Sequence, residues 1–210
     1  MSRQYMRVRR VALLGANGLV AQRFQQRLAN HPWFELVAVY GSPRTVGMEL
    51  AELQWHLPES RPDLPELVVR SLDSVLSDVG DFDIVFSALP SEVAQDVEKP
   101  LATLGCHVFS NASSHRMDDD VPLVIADLNP HHLLSLRNRT EPGFVACGTN
   151  CTIVPAALPL KPLWDFIGLD HVSISTEQSL SGGGFELLSA FRATGEYSIE
   201  IPGEAEKMHE

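Results

Sequence analysis

The sequence predicts an α/β fold in which a parallel, doubly wound sheet is covered by helices on both faces. Short apolar runs alternate with longer segments of helical character, and four such strand–helix units precede residue 150. A glycine-rich turn joins the first apolar run to the first helical segment. We expect these units to form a domain over residues 1–149, with a second domain beginning over residues 150–210.

Composition and charge exclude several classes of protein. A hydrophobic fraction of 44% in 210 residues supports a sizeable core. The net charge of −11 argues against nucleic-acid binding, and the absence of a run of eighteen apolar residues argues against a membrane protein. Three cysteines are too few for a disulfide framework, and the N-terminus lacks the apolar stretch of a secretory signal. We therefore expect a reduced, cytoplasmic protein.

The first turn has the spacing of a dinucleotide-binding loop. An apolar strand over residues 8–14 leads to Gly15 and Gly18, and a helix follows over about residues 20–30. Gly15 suits the tight turn, and Gly18 allows a pyrophosphate to approach the helix N-terminus, as in Rossmann domains. The alternative is a plain turn between strand and helix. We predict that the cofactor contacts Gly15, Asn17, Gly18, Leu19 and Val20.

The second strand indicates which dinucleotide is preferred. An NAD-binding domain usually places an acidic residue after this strand, where it binds the ribose 2′-hydroxyl. Here the strand over residues 34–40 is followed by Ser42, Arg44 and Thr45. Hydroxyls and a guanidinium suit a 2′-phosphate, so the sequence favours NADP. The alternative is an exposed turn with a solvated arginine.

Further strands are predicted over residues 83–89, 107–110, 121–125 and 143–146, with short helices over 71–79, 92–104 and 128–133. Since open α/β sheets bind ligands at the carboxyl ends of their strands, we expect Ser87, Ala88 and Leu89 to line the cofactor cleft. The acidic run at residues 118–120 is typical of a solvated loop, and we predict no metal site there.

Cys151 is the candidate nucleophile. It follows a polar turn and precedes an apolar segment that predicts a helix to about residue 166. A thiol at a helix N-terminus lies at the positive end of the dipole, which favours the thiolate. The alternative is a small buried residue in the core. Alternating residues over 172–178 predict a strand with one exposed face, and a flexible glycine loop follows.

Eight short motifs occur in an order that resembles a known family, the archaeal and fungal branch of aspartate-β-semialdehyde dehydrogenase, over essentially the whole chain. These motifs lie at residues 15–18, 42–45, 87–91, 110–112, 121–123, 150–152, 178–182 and 203–207. The resemblance implies a Rossmann domain followed by the start of an α+β catalytic and dimerisation domain. It also implies NADPH-dependent reduction of β-aspartyl phosphate to aspartate semialdehyde with release of phosphate, in lysine, threonine and methionine biosynthesis, by a homo-oligomer (dimer or tetramer).

The resemblance also assigns roles to individual residues. Cys151 would form a thioacyl-enzyme, and Gln178 would orient the substrate beside it. The substrate-binding residues implied by the family are Arg116, Asn150 and Lys207 for the acyl phosphate and Glu204 for the amino group. The residues implied to border the nicotinamide are Ser181, Gly182 and Gly183.

Two departures from the family pattern keep other interpretations open. Residues 146–149 differ from the usual approach to the nucleophile, and the family continues past Lys207 through a substrate-binding arginine and an acid/base histidine. We therefore expect either part of a longer enzyme or a truncated relative. The alternatives are a related acyl-CoA or N-acetylglutamyl-phosphate reductase, or a catalytically silent NADP-binding protein.

Overall fold

The computed structural model describes residues 7–177 and 179–196. Three residues to which the resemblance gives substrate roles, Gln178, Glu204 and Lys207, lie outside the described residues. The described part contains seven strands and four α-helices. The strands are β1 Arg9–Leu14, β2 Phe34–Gly41, β3 Val69–Ser71, β4 Ile84–Ser87, β5 His107–Ser110, β6 Leu123–Val124 and β7 Phe144–Gly148. The helices are α1 Leu19–Leu28, α2 Ser91–Thr103, α3 Ile153–Ile167 and α4 Phe185–Thr194.

The strands form one parallel sheet in the order β3-β2-β1-β4-β5-β7-β6. The chain first winds outward from β1 through β2 to β3, and then returns to β4 on the other side of β1. This reversal between β1 and β4 confirms the predicted doubly wound sheet. In such sheets the crevice at the reversal point, at the carboxyl ends of the strands, is where ligands bind.

Two apolar layers, one on each face, hold the sheet together. Val11 and Leu13 of β1 belong to the layer that includes Ala21 and Leu28 of α1. Ala12 and Leu14 point to the opposite layer, which includes Leu101 of α2. Because both faces are covered, the successive residues Val11 to Leu14 of β1 are all apolar, which is why this part of the strand is a continuous hydrophobic run in the sequence.

Several predicted elements differ from the observed ones. The helix predicted over 71–79 is only a 3-10 turn, Leu72–Ser74, and the one predicted over 128–133 is a 3-10 segment, Pro130–Asn138. The strand predicted over 172–178 was wrong for residues 172–177, which form no strand and are exposed. Within the described ranges no strand pairs with them, and an alternating sequence alone leaves its backbone groups unpaired. Helix α4 was not predicted.

Helix α3 is unusually exposed for an apolar helix. None of its described residues is buried, and Trp164, Phe166 and Ile167 are 60%, 88% and 74% exposed. Its two internal prolines, Pro159 and Pro162, each remove one backbone donor from the helix. Across the described residues, no helix combines the length and apolar character needed to cross a membrane.

Candidate active site

Several of the described residues that the sequence singled out lie at the carboxyl edge of the sheet. Gly15 follows β1, Ser87 ends β4, and Ser110 ends β5. Gly148 ends β7 and leads within three residues to Cys151. Because all of these strands are parallel, their ends meet on one side of the sheet, so the glycine turn and the candidate nucleophile lie at the same edge.

The turn after β1 can be made only with glycine at residue 15. Its φ of +87° lies in the region that side chains disfavour, and a Cβ atom there would come within 2.6 Å of the Ala88 carbonyl oxygen. The amide of Gly15 donates to the carbonyl of Tyr40 at 2.9 Å. The turn is therefore tied to the neighbouring strand β2 and pressed against the end of β4.

Gly18 has a different role from Gly15. It precedes α1 with an ordinary φ of −71°, and a Cβ atom there would meet only the Gly15 carbonyl oxygen, at 3.5 Å. The packing of the protein does not require a glycine here, so its absent side chain keeps space open in front of the helix. The first turn of α1 carries no acidic residue, and the buried Oδ1 of Asn17 has no hydrogen-bond partner among the described residues. The open space and the absence of an acidic residue fit an anionic group at the helix N-terminus, whereas the Asn17 oxygen is an acceptor that suits a donor group of a ligand.

The remaining predicted cofactor residues near α1 and β4 differ in exposure. Leu19 is half-buried and Val20 is exposed at the start of α1. Ala88 and Leu89 are half-buried beyond β4, and the Ala88 amide donates to the Leu14 carbonyl at 3.0 Å. Ser87 is fully buried, so neither its side chain nor its backbone is exposed at the crevice, and its contact with a cofactor remains a prediction.

The turn after β2 presents two of its three predicted polar side chains to solvent. Ser42 and Arg44 are exposed, and no acidic residue stands between them. Thr45 is buried, and its hydroxyl donates to the Ser42 carbonyl at 3.1 Å. The Thr45 side chain therefore shapes the turn, and its contact with a cofactor remains a prediction.

Cys151 is exposed at the start of α3, in contrast to the buried Cys106 and Cys147. The Asn150 side chain organises this helix end. Its Oδ1 accepts hydrogen bonds from the Thr152 amide at 2.9 Å and the Thr152 hydroxyl at 2.8 Å, and it lies 3.7 Å from Cys151 Sγ. The thiol is therefore held at the helix N-terminus beside a polar amide, as the sequence predicted.

Arg116 is placed beside the approach to Cys151. Its Nε donates to the Gly148 carbonyl at 3.0 Å, and its Nη2 donates to the Asn111 carbonyl at 3.1 Å. The guanidinium thus joins the end of β5 to the end of β7. The side chain is half-buried, so it keeps an accessible face on which an anion can bind.

The glycine segment near the C-terminal end of the described chain is a short 3-10 turn. Leu180–Gly183 includes the predicted nicotinamide neighbours Ser181, Gly182 and Gly183, all three exposed. The following helix, α4, begins at Phe185, whose ring stacks on His56 at a centroid distance of 3.5 Å. The His56 amide donates to Gln22 of α1 at 2.8 Å. These contacts place the segment on the side of the sheet that carries α1.

Sequence reasoning missed a buried polar cluster beneath the site. Glu98 of α2 is completely buried, and its Oε1 accepts a hydrogen bond from Ser110 Oγ at 2.7 Å. Burial raises the pKa of the Glu98 carboxyl, and burial with the nearby Glu98 charge raises the pKa of Cys147 to about 12. The spacing of Ala94, Glu98 and Leu101 places them on one helical face, a signal that could have found this residue.

The acidic loop after Arg116 is held by ion pairs. Lys99 Nζ lies 2.8 Å from Asp118 Oδ2 and 3.2 Å from Asp120 Oδ1. His115 Nδ1 also lies 2.9 Å from Asp118 Oδ2. Over residues 7–177 and 179–196, no group of three or more His, Cys, Asp or Glu side chains is arranged to hold a metal ion.

Comparison with known protein families shows to which family the chain belongs. Residues 10–136 match the family described as "Semialdehyde dehydrogenase, NAD binding domain". The chain belongs to this family. The matched region contains the glycine turn, the reversal point of the sheet and Arg116, and it covers β1 to β6, while β7 lies beyond it.

Members of this family and related reductases are similar over most of the chain. An aspartate-semialdehyde dehydrogenase of Archaeoglobus fulgidus is 41% identical over 207 residues, which are 95% of this chain and 59% of the relative. A malonyl CoA reductase (NADP) of Metallosphaera sedula is 36% identical over 185 residues, covering 85% of this chain and 51% of that protein. The crystal structure of the Candida albicans aspartate semialdehyde dehydrogenase with NADP is 34% identical, with a TM-score of 0.67, and covers 77% of this chain and 48% of that one. The chain therefore spans about half to three-fifths of the length of these relatives.

Proposed function

We propose that this chain provides the NADP-binding and nucleophile-bearing part of an aspartate-semialdehyde dehydrogenase, which reduces β-aspartyl phosphate to aspartate semialdehyde and releases phosphate. The observation that carries the proposal is the bridge from Arg116 to Gly148, which puts a guanidinium beside the turn that leads to Cys151. An acyl phosphate needs both a nucleophile for its carbonyl carbon and a cation for its leaving group. The crevice offers both.

The cofactor proposed for the site is NADP. Gly15, Gly18 and the N-terminus of α1 would hold the pyrophosphate, and Ser42 with Arg44 would contact the 2′-phosphate. The 34% identical enzyme of Candida albicans was crystallised with the same cofactor, which supports this choice. The cofactor, when bound, supplies the hydride. Ser181, Gly182 and Gly183 are proposed to border its nicotinamide ring.

The chemistry proposed for this chain's residues begins at Cys151. Its thiolate attacks the carbonyl carbon of the acyl phosphate, so a C–S bond forms and the C–O bond to phosphate breaks. Arg116 and Asn150 stabilise the departing phosphate. The thioester on Cys151 would present its carbonyl carbon to the hydride that a bound cofactor would supply, and loss of the C–S bond would release the aldehyde and return the Cys151 thiolate. Gln178, Glu204 and Lys207 are proposed to orient the substrate and bind its amino and phosphate groups.

The domain division and the assembly are also proposals. A boundary at 149/150 is supported by the end of the sheet at Gly148. Assembly into a homo-oligomer is supported by the exposed apolar side chains of α3, including Trp164, Phe166 and Ile167. Sedimentation of the purified protein measures the assembly directly, and a monomer at all concentrations would contradict it. We also propose a cytoplasmic location, which the reduced state of the described cysteines supports.

A second candidate substrate is an acyl-CoA thioester. The malonyl CoA reductase (NADP) is 36% identical to this chain, and its name assigns the same cofactor with a different acyl donor. Both reactions would pass through a thioester on Cys151. The phosphate-sized leaving group is favoured because Arg116 already lies beside the turn that leads to Cys151.

Trapping the acyl group separates these candidates. The purified chain is mixed with β-aspartyl phosphate or with malonyl-CoA, and its intact mass is measured before and after NADPH is added. We expect an aspartyl adduct on Cys151 that is lost from the intact mass after NADPH is added. The Cys151→Ser variant should form no thioester, and Cys106→Ser should behave like the parent. A malonyl adduct alone would favour the second candidate, and no adduct with either donor would refute both in favour of a silent NADP-binding protein.

A further inference from the structure

Glu98 is the most completely buried charged residue of the described chain that the proposed reaction does not use. It lies on α2 and has no exposed surface. Ala94, Leu101 and Ala102 share its buried face, so the helix points a carboxyl group into an apolar layer. A buried carboxyl group is costly unless hydrogen bonds satisfy it. The hydrogen-bond partners of the Glu98 carboxyl group therefore indicate the role of the side chain.

Those partners lie at the end of strand β5. The Ser110 hydroxyl donates to Glu98 Oε1 at 2.7 Å, and the Ser110 hydroxyl oxygen accepts the Ala112 amide at 3.0 Å. The Ser87 hydroxyl lies close enough to the carboxyl to lower its pKa, although it does not reach hydrogen-bonding geometry. One carboxyl group thus fixes the direction of the Ser110 hydroxyl and, through it, the first amide after Asn111.

A second contact holds residues 110–113 to the N-terminal end of α2. The Ser113 amide donates to Ser91 Oγ at 3.2 Å, and the two hydroxyls lie 2.9 Å apart. The Arg116 amide in turn donates to the Ser113 carbonyl at 3.2 Å. Residues 110–113 are therefore held to α2 at two points, and Arg116 follows directly from this fixed segment.

The Arg116 guanidinium depends on the loop in a second way. One of its two backbone acceptors, the Asn111 carbonyl, lies between Ser110 and Ala112. If the loop turns, this carbonyl moves, and the bond from Arg116 Nε to Gly148 loses its geometry as well. The pathway from Glu98 to Arg116 consists of hydrogen bonds and the short backbone segment that they hold.

We infer that Glu98 is a positioning residue for Arg116, acting through the Ser110 hydroxyl and the residues 110–113 that it shapes. The substrate role of Arg116 rests on the proposed function, but its positioning can be measured without any substrate. In the resting chain, the Arg116 Nε–H is held by Gly148 and should exchange slowly with water. Loss of the Glu98 carboxyl should release that proton and the Ala112 amide, while leaving the sheet intact.

The experiment uses nuclear magnetic resonance of the isotope-labelled chain, with the Arg116 Nε–H signal assigned by its loss in Arg116→Lys. In Glu98→Ala we expect exchange of this proton and of the Ala112 amide to accelerate about tenfold, the effect of losing one hydrogen bond. Glu98→Gln, which retains an acceptor oxygen, should keep both protected. The Val85 amide in the sheet centre reports global opening and should not change.

Two further variants make the test decisive. Val97→Ala removes an apolar group next to Glu98 that packs against the same core, so it controls for loosening of α2. Ser110→Ala breaks the link while keeping the carboxyl and repeats the test if Glu98→Ala does not fold. Protection of Arg116 equal to that of the parent in either Glu98→Ala or Ser110→Ala would overturn the inference. Acylation of Cys151 in Arg116→Lys is measured separately, and an unchanged rate there would contradict the proposed function without affecting the result for Glu98.

Discussion

The Ala88 carbonyl oxygen occupies the space into which a side chain at residue 15 would extend. A Cβ atom on Gly15 would lie 2.6 Å from that oxygen, well inside normal contact distance. The contact joins the turn after β1 to the end of β4, the two strands between which the winding of the sheet reverses. The glycine turn after β1 and the end of β4 are therefore packed together as one unit, whereas a Cβ atom on Gly18 would meet only the Gly15 carbonyl oxygen, at 3.5 Å.

Gly15→Ala should mainly lower the stability of the protein, whereas Gly18→Ala should mainly weaken NADPH binding. Gly15→Ala should lower the free energy of unfolding by about 3 kcal/mol, because the positive φ and the clash with Ala88 both act against it. Gly18→Ala should change it by less than about 0.5 kcal/mol but weaken NADPH binding roughly tenfold, since its Cβ would crowd the pyrophosphate. Urea unfolding and NADPH fluorescence titration measure the two effects. Unchanged NADPH affinity in Gly18→Ala would contradict the placement of the cofactor.

Arg44 should decide the preference for NADP. Arg44→Ala should weaken NADP binding by about ten- to a hundredfold through the loss of a charge-assisted hydrogen bond, and should leave NAD binding nearly unchanged. Calorimetric titration of both cofactors measures this. Arg27→Ala, an exposed arginine at the far end of α1, is the matched control for the change in net charge. Equal losses for NADP and NAD would refute the 2′-phosphate contact.

Cys151 should be alkylated before the other two cysteines near neutral pH. It is exposed, whereas Cys106 and Cys147 are buried with their pKa values raised to about 11 and about 12. Those two groups remain protonated thiols, which react slowly. Timed iodoacetamide labelling followed by peptide mass spectrometry gives the order. Labelling of Cys147 ahead of Cys151 would mean that the nucleophile has been assigned wrongly.

The buried carboxyl of Glu98 should be visible in the pH dependence of stability. Its pKa is raised by burial, so the folded state holds this proton to higher pH than the unfolded state. The parent therefore loses stability from this group as pH rises through the unfolded value of about 4.3 and on through the folded one. Glu98→Gln has no such loss.

We expect the stability of Glu98→Gln relative to the parent to increase as pH rises above the unfolded value of about 4.3. Urea unfolding at several pH values measures this difference, and Val97→Ala should show a constant offset from the parent. A difference between Glu98→Gln and the parent that falls as pH rises would have the wrong sign and would contradict a raised pKa.

The parts of the fold that the sequence predicted are those fixed by local patterns. β1, α1 and β2 follow from uninterrupted apolar residues, a glycine turn and His31-Pro32 after the helix. The exposed position of Cys151 at the start of α3 was predicted because helix-start signals are local as well, and its role as nucleophile stays a prediction. The pairing of Arg116 with Gly148 joins residues 32 positions apart, and only the family resemblance pointed to that arginine.

The predictions fail where contacts with residues distant in the sequence determine the structure. Residues 172–177 have an alternating pattern, but a strand needs a paired neighbour, and in the described part of the chain none lies alongside. Glu98 would be read as solvent-facing from its residue type, because a buried carboxyl is stable only when a partner such as Ser110 is supplied by another strand. Neither partner nor neighbour is visible in a single segment of sequence.

The order of the last two strands constrains how the sheet can assemble. Among the described residues β6 pairs only with β7, although it precedes β7 in the chain by about twenty residues. The edge strand is therefore joined to the sheet through β7, which itself pairs with β5. Strand β7, which leads to Cys151, is thus needed to hold β6 in the sheet. Any opening that detaches β7 from β5 takes β6 with it, so amide hydrogens of the edge cannot outlast those of the strand that carries the nucleophile.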